Sequence, residues 1–135
     1  MANPDMYVET KIILECAENL ISRPRRWTRD AFARAGDGHE VHYLDPDARR
    51  WSMAGAVLRA GAVLAARAFP PDRDAWYDAA RDALVELARV AGADVATFRD
   101  HGDAIRALFA YNDAHGRRAV LALFEHARQA IDARL

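Results

Sequence analysis

The sequence predicts a mainly α protein, a compact bundle of four to five helices with a small β-hairpin at about residues 27–43. Three observations lead there. Apolar residues recur at helical spacing along most of the chain. Proline and glycine punctuate the intervals between these stripes, at Pro24, Pro46, Pro70-Pro71 and Gly92. One interval departs from the helical texture, with β-forming Trp27, Phe32, Val41 and Tyr43 set around Gly36-Asp37-Gly38. At 135 residues, 52% of them apolar, the chain suits one domain spanning residues 1–135. A chain of this size buries roughly two thirds of its unfolded surface, so a core needs neither disulfide nor metal.

The first helix is expected at residues 4–22, where Ile13, Cys16, Ala17, Leu20 and Ile21 share a face. Pro24 ends it, because the residue before a proline is pushed out of the helical region. A lone hairpin is marginal in water, so the aromatics of residues 27–43 must pack on the helices. The second helix opens at Asp45-Pro46-Asp47, with Asp45 as cap and proline in the first turn, where a missing N–H does no harm. Trp51, Gly55, Leu58, Ala62, Ala65 and Phe69 form one stripe, and Met53, Val57 and Leu64 a second. A helix apolar on two sides is expected at the centre of a bundle.

Asp72 is expected to cap the third helix, which runs to about residue 91 and stops at Gly92. Its buried face holds Trp76, Ala80, Ala83, Leu84, Leu87 and Val90; its wet face holds Asp74, Asp78, Arg81, Asp82, Glu86 and Arg89. Residues 94–111 read as a helical turn, a break at His101-Gly102, and a helix through Ile105, Leu108 and Phe109. The last helix begins between Asp113 and Gly116 and buries Val120, Leu123, Phe124, Ala127, Ile131 and Leu135.

Nineteen basic residues against 20 acidic ones leave a net charge of -1. That balance disfavours a general nucleic-acid binder, which needs a basic face to displace counterions. Cys16 is the single cysteine, so no internal disulfide forms, and its place on the apolar stripe reads as an unreactive core thiol. A cytoplasmic protein is expected, with no secretory leader and no bilayer-spanning run. Five histidines do not assemble a metal set: His39 and His42 point to opposite faces of a strand, and His101, His115 and His126 are scattered. Ser22, Ser52, Thr10, Thr28 and Thr97 lie in no nucleophile-elbow pattern, and no glycine loop cradles a phosphate. No cofactor or metal is expected.

Two segments look more specific than packing requires. One runs from Asp45 to Ala56, with Asp47 to Trp51 as its helix start; the other runs from Tyr111 to Arg117 and holds Asn112, Asp113 and Arg117. Asn112 or Asp113 can cap the last helix, and Arg117 leans toward the apolar side of that helix, so it needs a partner. Besides capping alone, two readings stay open. Asp113 and Arg117 form a structural pair, or the segments meet in a pocket: Arg117 binds an anion, Asp113 orients it or takes a proton, and Trp51 forms the apolar wall. A further stretch gathers Arg23, Arg25, Arg26 and Arg29 around Trp27, with Arg34 near. It reads as a solvated linker, or as the place where an acidic partner or a phosphate docks.

These segments together resemble a bacterial and phage family of small proteins of unknown function. The resemblance runs through a Trp-centred hairpin (residues 27–41), Asp-Pro-Asp with Trp-x-x-x-Gly-Ala (residues 45–60), and an aromatic-Asn-Asp…Gly-Arg turn before the last helix (residues 111–131). Cysteines commonly follow the first two tryptophans of that family, and the third aromatic is commonly tryptophan; here Thr28, Ser52 and Tyr111 stand instead. The resemblance implies an architecture and no reaction.

The expected function is a non-enzymatic interaction or regulatory protein with a protein partner. A membrane or nucleic-acid role is not expected, and a homodimer is compatible with the sequence. The alternative is a small-ligand-binding or hydrolase-like protein using the Trp51 and Asn112-Asp113-Arg117 pocket.

Overall fold

A computed structural model describes residues 4–135. Five helices follow one another: α1 Pro4–Ile21, α2 Met53–Arg67, α3 Pro70–Val90, α4 His101–Ala114 and α5 Arg117–Asp132. Between α1 and α2 lie a 3₁₀ turn, Pro24–Arg26, and three short strands, β1 Ala33–Ala35, β2 Glu40–Val41 and β3 Ala48–Trp51. The sheet is antiparallel with β1 in the middle, in the order β2-β1-β3. The fold is thus mainly α with a small sheet, as the periodicity predicts. Among the described residues no helix is long and apolar enough to cross a membrane.

The hairpin β1–β2 turns at Gly36-Asp37-Gly38, where Gly38 takes φ 95°. The third strand falls where the sequence reading starts the second helix. Asp45 does not cap that helix. Its carboxylate accepts the backbone N–H of Asp47 at 2.8 Å, and its carbonyl accepts that of Ala48 at 3.0 Å, so Asp45-Pro46-Asp47 is a turn. The chain then runs extended, burying Ala48 and Trp51 and leaving Arg49 exposed. Helix α2 starts two residues after Trp51, capped by Ser52, whose hydroxyl accepts the Gly55 N–H at 3.2 Å. Replacing Ser52 by alanine is expected to lower stability by about 1 kcal/mol, read from urea unfolding.

Small residues set how closely the elements approach. A Cβ at Gly55 would stand 1.9 Å from the Phe32 carbonyl oxygen, so only glycine lets the segment entering β1 lie on α2. A Cβ at Gly61 would meet the Ala80 Cβ at 2.7 Å, which brings α2 and α3 together. The helix that packs against all four others is α3, not α2. Phe69, counted on the α2 stripe, is 81% exposed. Helix α2 ends at Arg67, and the proline that follows holds Phe69 in the extended region. Asp72 sits in the first turn of α3 rather than at its cap. Helix α4 starts at His101, where a break was expected, and the preceding turn is Val95–Thr97.

Helices α1 and α5 run antiparallel, tied along their length. Arg134 lies over the Tyr7 ring, Lys11 pairs with Asp132 at 2.8 Å, Arg128 pairs with Glu18 at 2.7 Å, and Arg117 donates to the Ser22 carbonyl at 2.5 Å. Cys16 is exposed on α1, not buried in the core. It borders a groove with Leu20, Ala60, Val63 and Leu64, and the atoms packed round it, then Glu15, push its thiol above the usual range. The neutral thiol is a poor nucleophile.

Candidate functional site

The geometry converges on Asn112. It lies in the last turn of α4, not at the start of α5, and is fully buried. Its amide oxygen accepts the Trp27 indole N–H at 2.9 Å and the Met53 backbone N–H at 3.1 Å. Its amide nitrogen donates to the Thr28 carbonyl at 3.0 Å and to the Asp113 carboxylate at 3.2 Å. A primary amide has two donors and two acceptor positions, and here all are filled. Met53 is the first residue of α2, and its N–H has no partner within the helix. Asn112 therefore caps α2 from a distance, while Ser52 caps it locally.

Asp113 holds the next residues of the same loop. Its carboxylate accepts the Asp30 N–H at 2.9 Å. Asp30 has φ 59°, a left-handed conformation uncommon outside glycine, and this bond helps to fix it. Arg29 lies 4.9 Å over the Trp27 ring and donates to the His115 carbonyl at 2.8 Å. His115 stacks on Tyr111 at 3.9 Å and bonds its carbonyl at 2.8 Å. Arg117 makes no ion pair with Asp113; it donates to the Ser22 carbonyl. That carbonyl follows the last turn of α1, which carries no basic residue of its own, so Arg117 brings positive charge to the negative end of the helix.

The sequence-predicted residues are thus only partly brought together. Trp51 is 2% exposed on β3, bridged to Trp27, with its indole N–H on the Tyr43 carbonyl at 3.2 Å and Arg59 at 5.0 Å over its ring. It meets the Asn112 cluster through Trp27, inside the packed interior. Asp47 stands elsewhere, with Asp37, His39 and Arg49 round an open depression. Trp27, Met53 and Asp30 complete the cluster and were not among the candidates. The Asp113–Arg117 pair is replaced by two separate attachments to the 22–30 loop.

Arg23 and Arg25 are exposed beside the 3₁₀ turn, with Arg26 half-buried. Among the described residues none of these three guanidiniums has an ion pair. Arg23 and Arg26 border a hollow of about 340 Å³ with Asn19, Leu20 and Ser22. Glu18, one turn back on α1, is already held by Arg128. Among the described residues no three His, Cys, Asp or Glu side chains group as a metal site.

A small helical domain whose arginine-bearing loop is pinned by an Asn-Asp corner is the class that this geometry defines. The chain belongs to a family of unknown function, DUF6197, whose model matches residues 6–130. No curated protein and no solved structure matches it.

Proposed function

We propose that this protein is a non-enzymatic interaction domain that docks an acidic segment of a partner protein on its 23–29 loop. One observation carries the reading. The loop is fastened from the α4–α5 corner by Trp27 to Asn112, Asn112 to Thr28, Asp30 to Asp113, Arg29 to His115, and Arg117 to Ser22. The side chains this fastened loop carries outward, Arg23, Arg25 and Arg26, have no ionic partner among the described residues. A rigid backbone lowers the entropy lost on binding. Guanidinium groups grip carboxylates with paired, charge-assisted hydrogen bonds. A net charge of -1 favours a short acidic peptide over a nucleic-acid backbone, because few phosphates could be neutralised at once.

The test is fluorescence anisotropy with a labelled glutamate-rich dodecapeptide and, in parallel, a labelled oligothymidylate. The peptide is expected to bind in a salt-sensitive way. The triple variant R23A/R25A/R26A is expected to weaken it at least tenfold without shifting Tm by more than a degree or two, since Arg23 and Arg25 are exposed and none of the three makes an ion pair among the described residues. Failure of the peptide to bind, tighter binding of the oligonucleotide, or unchanged affinity in the triple variant would each overturn the reading.

A further inference from the structure

We infer that the hollow between α1, α3 and α5 binds a small zwitterion, an amino acid or similar molecule carrying both an ammonium and a carboxylate group. The hollow has a volume of about 310 Å³, lined by residues that include Tyr7, Thr10, Asp82, Glu86, Arg89 and Arg134. That is the lower end of the range for small-molecule sites.

Two residues that line this hollow, Thr10 and Glu86, each carry a buried polar atom without a hydrogen-bond partner among the described residues. Thr10 is 1% exposed, and its hydroxyl makes no hydrogen bond; Glu86 is 4% exposed, and its Oε1 makes none. Buried polar atoms are paired in the great majority of cases, so two in one concave surface mark a place where a ligand supplies the bonds. The other Glu86 oxygen, Oε2, is held by Arg89 at 2.5 Å and Arg134 at 2.9 Å. Both guanidiniums bond the same oxygen and leave Oε1 to accept a donor. The sequence reading placed Glu86 on the wet face of α3; the structure corrects this. Glu86 stands three residues beyond buried Ala83 and beside Leu87, and that spacing was the available signal.

The remaining groups specify the ligand's other end. Arg89 and Arg134 are 44% and 35% exposed, so their guanidiniums border the mouth with N–H groups beyond those used on Glu86. Asp82 adds negative charge at the rim, where burial and then Asp78 push its carboxyl upward. A molecule with an ammonium for Glu86 Oε1 and Thr10 Oγ1, and a carboxylate for Arg89, satisfies both signs. A simple anion leaves the buried oxygens unpaired, and a simple amine leaves the arginines unused. This hollow and the arginine loop lie at opposite ends of the antiparallel α1–α5 pair. From Tyr7 to Ser22 the helix rises roughly 20 Å, so the two sites can be tested independently.

The test titrates glycine, ethylammonium and acetate into the isotopically labelled full chain and follows amide shifts. Glycine is expected to give saturable shifts at residues 10, 86 and 89, with ethylammonium at least fivefold weaker and acetate without effect at residue 10. Thr10→Val keeps the shape and removes the hydroxyl. It is expected to hold or raise Tm and to weaken glycine at least tenfold. Arg89→Ala is expected to bring glycine down to the affinity of ethylammonium. No saturable glycine shift, equal response to acetate, or parental glycine affinity in both variants would overturn the proposal. So would a glycine-soaked crystal with only water joining Thr10 Oγ1 to Glu86 Oε1.

Discussion

Asn112→Ala is expected to destabilise the protein by about 4 kcal/mol or more, because each buried group it abandons loses a bond worth roughly 1–3 kcal/mol. The truncation strands the Trp27 indole N–H, the Met53 N–H and the Thr28 carbonyl at once. No nearby side chain can replace it, since Asp113 is turned toward the Asp30 N–H and offers no donor. Urea unfolding followed by far-ultraviolet circular dichroism measures the loss. Two local readouts separate it from a general core defect. Amide exchange at Met53 is expected to speed up before the rest of α2, because its acceptor is gone. Acidic-peptide binding is expected to fall in any protein that remains folded. An Asn112→Ala variant within 1 kcal/mol of the parent would remove the corner as an organising element.

Gly55→Ala is expected to be comparably severe, about 4 kcal/mol or a failure to fold, at the upper end of single-residue effects. The added methyl would sit 1.9 Å from a backbone oxygen, that of Phe32, so no rotamer change relieves it. The same carbonyl accepts the Ser52 N–H at 3.2 Å, which ties the approach to the start of α2. Gly36→Ala is the control. A Cβ there meets only the Arg49 side chain at 3.9 Å, and the change is expected to alter stability by less than about 0.5 kcal/mol. Equal Tm values for the two variants would contradict the close approach.

The helices were legible where one face is apolar over several turns. The Val120, Leu123, Phe124, Ala127, Ile131 face of α5 is buried as its spacing implies, and Pro24 ends α1 on schedule. Leu135, placed on that face, is exposed, because α5 ends at Asp132. Residues 45–51 were misread because Asp-Pro-Asp serves equally as a helix start and as a turn. The choice was made by pairing of β3 with β1, a partner sixteen residues earlier at Arg34↔Arg50, which local spacing cannot reveal. The polar corner was recognised as unusual, yet its partners were not, since Asn112 answers groups 85 and 59 residues away. Glu86 was assigned by its charge rather than its position, although it follows Ala83 by three residues and adjoins Leu87, both read as buried.

The fastening of the 22–30 loop has a temporal side. The loop leaves the ribosome before the groups that hold it, from Asn112 to Arg117, which follow more than eighty residues later. Its arginines therefore hang on an unset segment until those residues have been made. A nascent chain that has not yet made α4 and α5 would display these side chains in no fixed arrangement, and on the proposed reading an acidic partner would bind only after those helices had been made.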